Sequence, residues 1–151
     1  MEIGIIVYSQ TGNTMSVAQK LQQSLSDNGH HASIQRVEVI SEKEPLKLKT
    51  VPDVSSFDVI VFASPVQAFS LAPSMKQYLT QISELNDKKV FCFVTQHLKK
   101  AWMGGNHALS QMQSACKLKG GRVSWSGGVN WSSDKREQQI NEIVDTITRM
   151  I

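Results

Sequence analysis

Six consecutive residues, Ser9-Gln10-Thr11-Gly12-Asn13-Thr14, concentrate three hydroxyls, two amides and one glycine between an apolar run and an amphipathic stretch. The chemistry this suits is phosphate binding. The N–H groups and macrodipole of a helix N-terminus favour an anion, Gly12 removes a Cβ that would block its approach, and Ser9, Thr11 and Thr14 can each donate. No lysine follows the glycine, so the Walker A pattern is absent and a terminal phosphate monoester suits the segment better than a nucleoside triphosphate. The competing reading is a simple Thr or Asn helix cap in a tight turn, which needs one hydroxyl where this segment has three.

Two further polar segments follow apolar runs in the same way. Ser64-Pro65-Val66-Gln67-Ala68-Phe69-Ser70 reads as a loop, with Pro65 disfavouring helix at Ser64 and stiffening the chain's exit from its strand. The segment from Thr95 to Gly105, with Gln96, His97, Lys99, Lys100, Trp102 and Gly104, is too long for a mere connector.

These segments must be held by the elements between them. Ile3-Gly4-Ile5-Ile6-Val7-Tyr8 is a continuous apolar run of the kind a parallel strand shows when both its faces are covered. From Asn13 the period becomes helical, with Val17, Ala18, Leu21 and Leu25 on one side and a stop at Asn28-Gly29. Ala32 to Ile40 alternates in two halves separated by a one-residue slip, which predicts a second strand with a bulge. Residues 41–56 carry Pro45 and Pro52 and predict a short irregular crossover in place of a helix.

Asp58 to Ala63 is the third strand; the helix after it carries Pro73 in its first turn and the stripe Met75, Tyr78, Leu79, Ile82 and Leu85. Lys89 to Thr95 is the fourth strand. Ala108, Leu109, Met112, Ala115 and Cys116 mark a helix closed by Gly120-Gly121, and the fifth strand lies within Arg122 to Val129. The last helix starts near Asp134, a cap candidate with Glu137 at the third helical position, and buries Ile140, Ile143, Val144 and Ile147.

Five strands alternating with four helices imply an α/β three-layer sandwich: a five-stranded parallel sheet with helices on both faces. The expected strand order is 2-1-3-4-5, which brings the segments after strands one, three and four to one carboxyl edge, so that any ligand sits there.

Length and composition narrow the classes further. A chain of 151 residues predicts a single domain, 1–151, and 40% apolar with 19% charged residues predicts a packed globular chain, not a disordered one. No run approaches the roughly 18 apolar residues of a membrane span, and Met1-Glu2-Ile3-Gly4 lacks a basic start, so a cytoplasmic location is expected. Sixteen cations against 13 anions give a net charge of +3, too modest and dispersed for a nucleic-acid footprint. Cys92 and Cys116 have no metal-ligand spacing and read as reduced core residues. His30 and His31 read as solvated surface, Trp125 and Trp131 as packing against the last helix, and no residue set suggests a metal site.

Thr11-Gly12-Asn13-Thr14 after Ile5-Ile6-Val7-Tyr8-Ser9 resembles the phosphate-binding signature of the flavodoxins, which hold FMN non-covalently. Length, element order and loop positions agree over essentially the whole chain, and the flavodoxin-like fold is implied. By that resemblance FMN is the cofactor, and the cofactor-binding residues are Ser9 to Thr14 at the phosphate, Ser64, Pro65, Val66, Gln67, Ala68 and Phe69 along one side of the ring, and Thr95, Gln96, His97, Trp102, Gly104 and Gly105 along the other. Backbone groups of Val66 to Ala68 would meet the ring's polar edge. Phe69 either covers the ring's apolar face or packs under the next helix, and Trp102 either stacks on the other face or closes over its neighbouring helix. Gly104-Gly105 would let backbone approach the pyrimidine end, in the manner of the Gly-Gly loops of flavodoxin-like quinone reductases.

Two functions follow from that resemblance. One is an electron carrier serving redox partner proteins or small acceptors, with no catalytic acid or base; the alternative is an FMN-dependent NAD(P)H oxidoreductase of the quinone reductase type. The Lys99, Lys100 and His97 charges favour the second more than the acidic surface of typical flavodoxins would. A phosphoacceptor receiver shares the fold but needs carboxylates at the strand ends, and Asp58 starts its strand at the opposite edge. Oligomeric state is left open.

Overall fold

The apolar runs sort their side chains by parity, which is what a strand covered on both faces requires. Ile3, Ile5 and Val7 enter one core with Val59, Val61, Phe91 and Phe93, whereas Ile6 and Tyr8 enter the other with Ile60, Phe62, Val90 and Cys92. A computed structural model, which describes residues 1–98 and 104–151, gives the elements β1 (Glu2–Val7), α1 (Asn13–Asp27), β2 (His31–Arg36), β3 (Val39–Ser41), β4 (Lys47–Leu48) and β5 (Val59–Gln67). They continue as β6 (Ser70–Leu71), α2 (Pro73–Gln81), β7 (Lys89–Gln96), α3 (Gly105–Leu118), β8 (Arg122–Asn130) and α4 (Arg136–Met150).

The main sheet runs β2-β1-β5-β7-β8 with every neighbouring pair parallel, the expected order 2-1-3-4-5. One core lies under α1 and α4, filled by Val17, Ala18, Leu21, Leu25, Ile140, Ile143 and Ile147; the other lies under α2 and α3, filled by Met75, Tyr78, Leu79, Ala108, Met112 and Cys116. Each such fully buried aliphatic or aromatic side chain contributes roughly 1.5–3 kcal/mol. Cys92 and Cys116 are free, buried and members of the same core. The neighbouring Cys116, and then burial, push the Cys92 thiol well above its ordinary range. Trp125 and Trp131 pack against the α1–α4 core, and the Arg136 guanidinium lies 5.0 Å from the centre of the Trp131 ring.

Five local expectations are corrected. The stretch from Ala32 to Ile40 is not one bulged strand: β2 ends at Arg36, and β3 pairs instead with β4 in a separate antiparallel hairpin. Thr50 enforces the departure, its hydroxyl donating to the Arg36 carbonyl at 2.7 Å and accepting from the Glu38 N–H at 2.8 Å. The segment expected to be a loop from Ser64 is strand as far as Gln67, because Ser64 and Pro65 keep the parallel register with Val94 and Thr95 before Val66 and Gln67 turn back onto β6. α2 stops at Gln81, and Ile82 and Leu85 fill the core from extended chain beyond it. Asp134 does not cap α4, whose cap position is Lys135 with no side-chain cap bond; Ser133 organises that turn through its hydroxyl to Lys135 N–H and its carbonyl to Arg136 N–H. His30 is half-buried, not fully solvated, while His31 is exposed and pairs with Glu2 at 2.6 Å.

Candidate functional site

The carboxyl ends of β1, β5 and β7 stand side by side, so the three polar segments converge at the point where the strand order reverses. Gln10, Thr11, Asn13, Pro65, Val66, Gln67, Thr95, Gln96 and His97 line one cleft there. Every one of these side chains is uncharged or histidine; neither carboxylate nor ammonium lines the cleft among the described residues. A larger polar groove of about 420 Å³ between α1 and α4, lined by Ser24, Asn28, Glu142 and Arg149, lies away from this edge.

The first segment enters α1 through Gly12, which occupies the cap position at φ +95° and makes no side-chain cap bond of its own. A Cβ built there would meet nothing within 4 Å, so the approach to the first turn is open. Ser9 turns its hydroxyl inward to accept the Met15 N–H at 3.3 Å, and Gln10, Thr11 and Gly12 are exposed. Neither Thr11 nor Asn13 acts as the cap of the competing reading. Thr14 behaves differently from its neighbours: it is buried, and its hydroxyl lies 2.7 Å from that of Thr95 on β7. This pair ties the first turn of α1 to the third segment.

The second segment is the β5–β6 hairpin. Ser64 is buried, Pro65, Val66 and Gln67 are half-buried, and the chain reverses at Ala68 and Phe69 with φ +50° and +61°. Two successive left-handed residues suit a two-residue hairpin turn, a conformation that glycine and asparagine adopt easily and alanine and phenylalanine do not. Phe69 is 64% exposed, so packing under the next helix is not its role. α3 holds the hairpin from below: Gln111 Oε1 accepts from Leu71 N–H at 2.8 Å and from the Ser70 hydroxyl at 2.9 Å, and Lys76 donates to that same hydroxyl at 2.9 Å.

In the third segment Thr95 and Gln96 are buried at the end of β7, while His97 and Leu98 are exposed. Gln96 donates to Asn130 Oδ1 at 2.5 Å, and its carbonyl accepts from Trp131 N–H at 2.6 Å, which carries the edge across to β8. Trp102, Lys99 and Lys100 lie outside the described residues. Gly104 and Gly105 are both buried and begin α3. A Cβ on Gly104 would sit 2.7 Å from the Phe69 Cα, and one on Gly105 would sit 3.3 Å from Gln96 Oε1. The close approach that this glycine pair permits is therefore to the hairpin and to Gln96.

Sequence reasoning missed Tyr8, Glu42 and Gln111. The Tyr8 hydroxyl donates to Glu42 Oε1 at 2.7 Å, and Gln10 Nε2 lies 3.4 Å from Glu42 Oε2. Burial first, then the bond to Glu42, raise the Tyr8 pKa, and bonds from Ser74 and Gln67 act the other way. Nothing local marks Glu42, which stands 32 residues from Gln10 in an irregular crossover. Asn130 had a weak signal, since it ends the fifth strand beside Gln96.

The match to a family model decides the relationship: residues 4–126 fit the model described as a flavodoxin domain. The chain belongs to the flavodoxin family. Solved flavodoxins share its fold at low identity. Two-electron reduced flavodoxin from Megasphaera elsdenii superposes with a TM-score of 0.72 at 19% identity, over 97% of this chain and 98% of that one. Oxidised flavodoxin 2 from Bacillus cereus gives 0.73 at 17% identity over 100% of both chains. A Lactobacillus acidophilus flavoprotein in complex with FMN gives 0.65 at 19% identity, over 95% of this chain and 97% of that one. No curated protein sequence matches the chain.

The donor set of this flavodoxin-family cleft fits a flavin phosphate. The open left-handed entry to α1 and the exposed Thr11 hydroxyl supply neutral donors, and among the described residues no carboxylate lines the cleft.

Proposed function

We propose that this chain is a single-domain FMN-binding electron carrier of the cytoplasm, passing electrons between redox partner proteins or small acceptors. The observation that carries the reading is the open, left-handed entry to α1 at Gly12 in a family whose members bind flavin. Ser9 to Thr14 would hold the phosphate through backbone N–H groups and the exposed Thr11 hydroxyl. Ser64 to Phe69 and Thr95 to Gly105 would hold the ring. Bound FMN would supply the redox chemistry, and the chain's residues orient it and shape its electrostatic surroundings. Among the described residues no helix is long and apolar enough to cross a membrane.

Titrating purified apoprotein with FMN, with riboflavin as the control lacking phosphate, tests the reading through quenching of flavin fluorescence. Tight binding of FMN and much weaker binding of riboflavin is the expected result. FMN that stays bright and unbound overturns it.

The cleft also favours a second reading, an FMN-dependent NAD(P)H oxidoreductase of the quinone reductase type, because no carboxylate among its described lining residues disfavours negative charge on a reduced flavin. Rapid anaerobic bleaching of bound FMN by NADPH or NADH supports it; a flavin left oxidised by both removes it.

A further inference from the structure

The Glu42 carboxylate sits at one corner of the cleft without lining it. It is an acceptor only, and it holds two donors on separate oxygens: the Tyr8 hydroxyl on Oε1 at 2.7 Å and the Gln10 amide on Oε2 at 3.4 Å. With its NH2 group turned to Glu42, Gln10 must present its carbonyl oxygen in the other direction. There it accepts from Gln67 Nε2 at 2.6 Å. Four side chains are thus joined in one hydrogen-bonded chain: Tyr8, Glu42, Gln10 and Gln67.

Glutamine amides are ambivalent, each offering donor and acceptor, and a chain of ambivalent groups has two opposite polarities of similar energy. A carboxylate removes that degeneracy. Two consequences follow at the cleft, since Gln10 and Gln67 both line it. The segment after β1 is bound to the β5–β6 hairpin, and the NH2 group of Gln67 is directed to Gln10, leaving its carbonyl as an acceptor. The hairpin is held from the α3 side by Gln111 and from the β1 side by this chain, and its left-handed Ala68–Phe69 turn lies between the two restraints.

We propose that Glu42 is a positioning residue for the flavin site: as the acceptor-only member of the Tyr8–Glu42–Gln10–Gln67 chain, it fixes the orientation of both glutamine amides and thereby the hairpin edge against which the flavin ring binds. This rests on the flavin reading of the cleft. Glu42 acts through Gln10 and Gln67, and it comes from the β3–β4 hairpin that stands where a regular crossover helix is usual.

The decisive variant is Glu42→Gln, which keeps size but can accept on only one oxygen. It should weaken FMN and riboflavin by the same factor, about fivefold, because the lost restraint acts on the hairpin edge and not on the phosphate. In a Gln10→Ala background the same change should have no further effect, since the path through Gln10 is already cut. In apoprotein, the side-chain amide NMR signals of Gln10 and Gln67 should be well dispersed and should collapse toward free-glutamine positions in Glu42→Gln. Unchanged affinities and amide signals in the variant overturn the proposal. So does tighter FMN with unchanged riboflavin, which would mean that Glu42 acts only as a charge repelling the phosphate. Wild-type protein that binds neither flavin overturns the flavin reading itself, and the positioning role falls with it.

Discussion

α1 and α3 both begin at the carboxyl edge of the sheet on a left-handed glycine, and the two glycines have opposite surroundings. Gly12 is exposed, at φ +95°, with nothing within 4 Å of where a Cβ would stand. Gly104 is buried, at φ +118°, and a Cβ there would lie 2.7 Å from the Phe69 Cα and 3.0 Å from its carbonyl carbon. The same residue at the same helix position thus answers two demands. At Gly12 the demand is only on the backbone angle, and the space above it is open. At Gly104 the demand is on space too, because the second segment's turn rests directly on the glycine.

The comparison extends to the turns themselves. The first segment uses glycine where the chain turns left-handed. The hairpin makes two left-handed residues of Ala68 and Phe69, and restraint from Gln111, Gly104 and Gln67 holds them there. A conformation that neither residue prefers, held by its surroundings beside a cleft, is the pattern expected where backbone shape serves binding.

Breaking the packed terminus should have the largest effect. Gly104→Ala combines a left-handed alanine with a clash against backbone and should cost about 3 kcal/mol of stability in urea unfolding. Thr14→Val comes next: it removes one partner of the buried Thr14–Thr95 pair, leaves the Thr95 hydroxyl unpaired between the two regions, and should cost about 2 kcal/mol in the same assay. Gly12→Ala, where space is free, should cost only about 1 kcal/mol. Its signature should be functional, with FMN affinity reduced more than riboflavin affinity in the fluorescence titration. If Gly12→Ala proved as destabilising as Gly104→Ala, the contrast between the two termini would collapse. Ala68→Gly should sharpen it in the opposite direction, stabilising the protein by about 0.5 kcal/mol through relief of the left-handed turn.

The smallest effect concerns alkaline pH. The Tyr8 phenol is raised above its ordinary value of 10.0, by burial first and then by the Glu42 bond. The folded state therefore keeps a proton that the unfolded chain has released, so this contribution to stability is complete below pH 10 and fades as pH rises through the folded value. Melting temperatures should decline above pH 10, and Tyr8→Phe should decline less steeply.

Much of this architecture was legible before any coordinates. The continuous apolar runs of Ile3 to Tyr8, Asp58 to Ala63 and Lys89 to Thr95, and the helical stripes of Val17 to Leu25 and Ile140 to Ile147, are patterns that depend on near neighbours alone. They were enough for the order of elements, the parallel sheet and the edge where three polar segments meet. The left-handed glycine entry to α1 was legible too, because Gly12 and its polar neighbours are contiguous and follow the first strand directly. Boundaries were less so: β5 continues through Ser64 and Pro65 because its neighbour β7 supplies partners, and the last turn before α4 is organised by Ser133 instead of Asp134.

What the sequence by itself determined is the set of local preferences: which runs extend, which coil, and where a helix opens on a glycine. Tertiary structure alone decided which of the polar side chains act together. Thr14 meets Thr95 across 81 residues, Gln67 meets Gln10 across 57, and Glu42 reaches Tyr8 from 34 residues away. The reason is physical: periodicity reports the face on which a side chain lies, whereas a hydrogen bond between distant segments depends on the register of the sheet and the path of the crossover that bring its donor and acceptor within about 3 Å.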